Sequence, residues 1–183
     1  MINVGVIGFG YWGPNVVRNL SAQSSLRLVA ICDRSPEALR RAKCTYPAVE
    51  VTTDPSSITQ SNDIDAVAIV TPVWTHYELA KAALQNGKHV FVEKPFTSNS
   101  AEAEELIELA ERKKLVIMVD HTFLFTGAVR KIRELIDDGE LGNLDVAQDG
   151  LDSRLHSAYA DGRISRHKSG SVWQGACHLS IMS

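Results

Sequence analysis

The chain has 183 residues, 44% hydrophobic and 22% charged, an ordinary globular composition that accommodates one full domain but not two at about 100–200 residues each. Nineteen Lys and Arg against 22 Asp and Glu leave a net charge of −3 with no basic run, so nucleic acid is not an expected partner. The apolar stretches at 3–8 and 66–70 are far shorter than the ~20 residues that span a bilayer, and the start Met1-Ile2-Asn3 lacks a basic leader; a cytoplasmic chain with no membrane partner is expected.

From the N-terminus to about Phe123, short β-branched apolar runs alternate with stretches of helical spacing, the pattern of β-α-β units around a parallel sheet. Strands are expected at 3–8, 27–32, 49–52, 66–70, 89–92 and 116–119. Their continuous apolar character suits burial on both faces. Between them, Pro14 marks a first helical turn, Ser35-Pro36-Glu37 a cap with a first-turn proline and acid, and Gly87 the end of a helix over 75–86. Ser98-Asn99-Ser100 precedes a helix over 101–113 that runs from acidic to basic, as the macrodipole favours. Beyond Phe123, a helix over 128–138 puts Val129, Ile132, Leu135 and Ile136 on one face and stops at Gly139, with Gly142 following. Residues 145–171 lose periodicity and carry no assignment. Three cysteines (Cys32, Cys44, Cys177) show neither C-x-x-C spacing nor a neighbouring His cluster, so reduced thiols and no structural metal are expected.

Gly8-Phe9-Gly10-Tyr11-Trp12-Gly13 is a G-x-G-x-x-G between an expected strand and an expected helix, the context that gives the motif its meaning. The first glycine permits the tight turn, the second lets a pyrophosphate approach the backbone, and the third lets the helix pack close to the strand with its N-terminal amides facing the phosphates. Twenty residues after Gly13, the second strand ends in Asp33, the acid expected to accept hydrogen bonds from an adenosine ribose. Asp33 would repel a 2′-phosphate, which favours NAD, while neighbouring Arg34 could pair with one, which keeps NADP open. Thr71 and Pro72 follow the fourth strand and His76 opens the next helix, at the carboxyl edge where ligands of open α/β sheets bind; His76 is either a cofactor contact or a helix-start residue. Glu93-Lys94-Pro95 ends the fifth strand at the same edge, where a lysine can exchange protons or simply meet solvent.

V-I-G-F-G-Y-W-G-P-N at 6–15, T-P-V-W-T-H-Y-E-L-A at 71–80, G-K-H-V-F-V-E-K-P at 87–95, H-T-F-L-F at 121–125 and A-V-R-K-I-R-E-L-I-D-D-G-E-L-G at 128–142 together resemble the Gfo/Idh/MocA oxidoreductase family. The resemblance covers roughly residues 1–144 and leans toward the branch that oxidises nucleotide-linked sugars for surface polysaccharides, such as UDP-N-acetylglucosaminuronate 3-dehydrogenases. It implies a Rossmann doubly wound parallel sheet over 1–123, binding cofactor through Gly8, Phe9, Gly10, Tyr11, Trp12, Gly13, Asp33, Arg34, Thr71, Pro72, His76, Glu93 and Lys94. Residues 124–183 would be the incomplete start of an α+β substrate domain that in relatives also builds homo-oligomers. The implied reaction moves a hydride between a sugar hydroxyl carbon and nicotinamide, with Lys94 and the aligned His178 handling the hydroxyl proton.

The chain departs from the family pattern at Gln174, Cys177 and Leu179 around His178, and at Asp120 and Gly127 further upstream. Gln174 cannot take up or deliver a proton, unlike the Asp often found there. A missing second domain would also leave Lys94 open to water, where its ammonium keeps its proton. Two functions follow: an NAD(P)-dependent dehydrogenase of a sugar or sugar nucleotide, or a dinucleotide-binding remnant without turnover.

Overall fold

The computed structural model describes residues 1–140, which fall into a first unit, Met1–Asp120, and a second beginning at His121. The first unit is a sheet of six strands: β1 (Ile2–Ile7), β2 (Leu26–Cys32), β3 (Glu50–Thr52), β4 (Ala66–Ile69), β5 (His89–Val92) and β6 (Ile117–Val119). They lie in the order β3-β2-β1-β4-β5-β6, and every neighbouring pair is parallel. Val6, Ile31, Val67, Ile69 and Val92 are completely buried, so the β-branched runs that mark the strands are also the core. Each such side chain removed from water contributes about 1.5–3 kcal/mol.

The helices are α1 (Gly13–Ser21), α2 (Pro36–Thr45), a single turn α3 (Ser56–Thr59), α4 (His76–Gln85) and α5 (Ser100–Lys113). Val16 and Val17 of α1 and Ala38 and Ala42 of α2 share one core cluster with Val6, Ile31 and Ala68 of the sheet. α4 packs on β4 and β5 and beside α5, where Lys81 Nζ lies 2.6 Å from Glu105 and Tyr77 donates its hydroxyl to the same carboxylate. The caps read from the sequence form as hydrogen bonds: Ser35 Oγ accepts from Ala38 N at 3.3 Å, and Asn99 Oδ1 from Glu102 N at 3.0 Å. α5 ends on Lys114 in a left-handed conformation (φ 57°), a role in which glycine is commoner.

The strands stand where expected to within a residue or two. Two features were not anticipated: α3, too short to show a helical period, and a 3-10 turn at Val73–Thr75 that delays the start of α4 to His76. The chain builds outward from β1 to β3 on one side and resumes at β4 on the other. The order therefore reverses between β1 and β4, and a crevice opens over their carboxyl ends.

In the second unit a 3-10 turn (Thr122–Phe125) leads into α6 (Gly127–Asp137), on which Val129, Leu135 and Ile136 are half-buried and Ile132 is exposed. Gly142, the unassigned stretch 145–171, Cys177 and His178 lie outside the described residues. Among the described residues, no helix is long and apolar enough to cross a membrane.

Candidate functional site

The glycine loop joins β1 to α1 at the switch point. Gly8 has φ 105°, a conformation that side chains rarely adopt, and a Cβ there would run into the carbonyl of Val70 at the end of β4. A Cβ on Gly13 would stand 2.5 Å from the Gly8 carbonyl oxygen, so the close start of α1 also depends on glycine. Around Gly10 the space is open. The Trp12 cap of α1 provides no side-chain acceptor, and the amides of Gly10, Tyr11, Trp12 and Gly13 donate to nothing among the described residues. A helix N-terminus with unpaired amides and free space in front of it suits phosphate oxygens. Tyr11 is 96% exposed, so it is the loop's backbone that shapes this cradle, while Phe9 is buried in the core.

Asp33, at the end of β2, closes the cradle from one side. Its Oδ2 accepts the Phe9 amide at 2.6 Å and its Oδ1 the Ser35 amide at 2.8 Å. A carboxylate oxygen takes more than one hydrogen bond, so each still has capacity for a hydroxyl group. Asp33 is half-buried and Arg34 beside it is exposed. Cys32 just before them is buried; desolvation, then the negative charges of Asp33 and Asp54, push its thiol up to about 11, leaving it protonated and unreactive.

The other side of the crevice is built at the ends of β4, β5 and β6. Thr71 and Pro72 leave β4, with Thr75 Oγ1 2.7 Å from Thr71 Oγ1. His76 is only 1% exposed. Its Nε2 lies 2.7 Å from the Thr71 carbonyl oxygen, and its Nδ1 2.9 Å from that of Pro95 and 3.3 Å from that of Phe96. The ring thus bridges the loop after β4 and the loop after β5, whose Lys94-Pro95 peptide is cis. Its surface is turned into the protein, and any influence on a cofactor passes through these two loops.

Glu93 is half-buried and Lys94 exposed at the end of β5. Glu93 Oε2 accepts the Lys94 amide at 3.0 Å. Burial, and then a hydrogen bond and charge repulsion from Asp120 at the end of β6, push the Glu93 carboxyl up to about 7, against the opposing pull of Lys94. Asp120 was visible in the sequence only as a departure from the family pattern. Its pairing with Glu93 follows from the β5–β6 register, in which Val92 faces Val119.

The structure therefore gathers Gly8, Phe9, Gly10, Tyr11, Trp12, Gly13, Asp33, Arg34, Thr71, Pro72, Glu93 and Lys94 along one sheet edge, with His76 inside it. His178 lies outside the described residues. No cluster of three or more potential metal ligands occurs among the described residues. A dinucleotide fits the unpaired amides, the space at Gly10 and the flanking carboxylate.

Residues 2–121 match the family described as an oxidoreductase family with an NAD-binding Rossmann fold. The chain is 36% identical over 143 residues to the uncharacterized oxidoreductase YdgJ of Escherichia coli, an alignment covering 78% of this chain and 41% of that protein. It is 32% identical over 136 residues to the UDP-N-acetylglucosamine 3-dehydrogenase of Acidithiobacillus ferrooxidans, covering 73% and 41%. The crystal structure of apo scyllo-inositol dehydrogenase from Lactobacillus casei superposes with a TM-score of 0.72 at 30% identity, covering 78% of this chain and 43% of that one. The chain thus spans about two fifths of the length of the curated relatives it matches. The chain therefore belongs to the Gfo/Idh/MocA oxidoreductase family, with its NAD-binding Rossmann fold.

Proposed function

We propose that this chain carries the cofactor half of an NAD(P)-dependent dehydrogenase acting on a hydroxyl group of a sugar or sugar nucleotide. The observation that carries the reading is the row of unpaired amides at Gly10–Gly13 opposite the Asp33 carboxylate. In this reading Gly10, Tyr11, Trp12 and Gly13 hold the diphosphate, and Asp33 binds the adenosine ribose hydroxyls. Asp33 disfavours a 2′-phosphate, so NAD is the preferred form; Arg34 is the residue through which NADP would be accommodated.

A bound nicotinamide would supply the hydride acceptor. In this reading Lys94, at the carboxyl end of β5, orients the substrate hydroxyl and takes its proton at Nζ. His76 fixes the Lys94 loop against Thr71. The sugar class is supported by the name of the Acidithiobacillus ferrooxidans relative.

Titration calorimetry with NAD and NADP tests the cofactor, and appearance of NADH absorbance with UDP-hexuronates or UDP-hexosamines tests the reaction. Turnover that disappears in Lys94→Ala with NAD affinity retained supports the dehydrogenase. Cofactor binding with no turnover on any hydroxylated sugar supports a binding remnant, and absence of heat at millimolar NAD and NADP sinks both.

A further inference from the structure

Two carboxyl groups stand side by side at the ends of β5 and β6. The amide of Glu93 donates to Ile69 O and that of Asp120 to Val92 O, each at 2.9 Å, so the two residues directly follow the paired strands. Both are half-buried, and burial, then a hydrogen bond and charge repulsion from Asp120, push the Glu93 carboxyl up. Two carboxylates repel; a hydrogen bond between them requires a proton held in common. The pair is also tied to the proposed proton acceptor, through the Lys94 amide on Glu93.

A dinucleotide whose adenosine lies over β2 at Asp33 must extend its other half across β1 toward the ends of β4, β5 and β6. That places nicotinamide on the side of the crevice where this pair sits. The oxidised ring is a cation and the reduced ring is neutral. The argument rests on the dehydrogenase reading above.

We propose that Glu93 and Asp120 form a proton-sharing pair that reads the redox state of the nicotinamide, favouring the oxidised ring when the pair gives up its proton. With the shared proton the pair has one negative charge; without it, two. Arrival of the cationic ring expels the proton to solvent, whereas the neutral ring leaves it in place. The pair's proton is exchangeable near neutrality, since burial beside Asp120 holds Glu93 near 7. The other charge bearing on Glu93 is Lys94, which favours the ionised carboxyl. The β4 side contributes uncharged Thr71, and His76 turns both ring nitrogens to backbone carbonyls.

Calorimetric titration of the full chain with NAD and with NADH, at about pH 6 and about pH 8, tests this. The preference for NAD over NADH is expected to rise about fivefold between the two, and NAD binding alone to release protons when heats are compared in buffers of different ionisation enthalpy. Asp120→Asn is expected to abolish the rise and Asp120→Glu to restore part of it. If NAD and NADH affinities move in parallel with pH, or both ligands release protons equally, the proposal is overturned. The buffer comparison uses the unaltered chain, so it decides the matter even if the variants fail to fold. A chain that binds neither ligand at either pH overturns the dinucleotide reading itself, and this inference with it.

Discussion

The two sides of the crevice are made of different materials. On the β1–β2 side the groups are unpaired backbone amides and one carboxylate, which accepts hydrogen bonds of 2.6 and 2.8 Å from the Phe9 and Ser35 amides. On the β4–β6 side they are side chains on loop ends: an exposed lysine, a carboxyl pair, and a buried imidazole that fastens one loop to the other. The first arrangement is mostly fixed backbone and suits affinity. The second can change charge, and suits chemistry.

If that contrast is right, damage to each side should stay on that side. The largest effect is expected from Gly8→Val, which forces a β-branched residue into φ 105° and against Val70. Denaturant titration should show a loss of about 2–4 kcal/mol, and NAD affinity should fall below detection. A variant with unaltered stability would show that the loop is softer than its geometry implies.

His76→Phe removes a ring that bridges carbonyls of Thr71, Pro95 and Phe96, leaving buried acceptors unpaired at a cost of about 1–3 kcal/mol. Hydrogen exchange should quicken at residues 94–97 and leave the protected amides of Gly8 and Phe9 unchanged. Equal loosening of both loops would erase the distinction drawn here.

Asp33→Asn keeps the shape but replaces one acceptor oxygen with an NH2 group, which faces either the Phe9 or the Ser35 amide. NAD affinity is expected to drop about tenfold in calorimetry, with NADP losing less because the charge that opposes its 2′-phosphate is gone. An equal loss for both cofactors would remove Asp33 from cofactor selection.

A smaller effect concerns stability against pH. Glu93 keeps its proton more tightly in the folded chain than in the unfolded one, rising from 4.5 to about 7. Its protonation therefore favours the folded state below pH 4.5, and that contribution is lost as pH climbs through about 7. Urea midpoints should decline across this window, less steeply in Asp120→Asn. The smallest effect, as a control far from the crevice, is Arg41→Ala: its ion pair with Glu37 spans 3.6 Å between side chains 56% and 73% exposed, and its loss should cost under about 0.5 kcal/mol.

Much of the β1–β2 side was legible because its information is local. Gly8, Gly10 and Gly13 lie within one turn, and Asp33 follows at the spacing of a single β-α-β unit. Caps such as Ser35 and Asn99 act within three residues, so composition alone reveals them. The opposite side was read only in part. Lys94 and Glu93 were found by motif, but Asp120 is 27 positions from Glu93, and only the parallel register of β5 and β6 brings them together. His76 was expected at the edge, yet its contact with the carbonyls 19 and 20 residues away turns the ring inward.

The amino-acid sequence by itself determined the alternation of strands and helices, the glycine loop and the acid beside it, because hydrophobic period, turn chemistry and capping are settled between near neighbours in the chain. Tertiary structure decided which carboxyl groups stand side by side and which way the histidine points. Those outcomes depend on strand order and register, where burial and the electrostatic repulsion of two distant residues become one local problem.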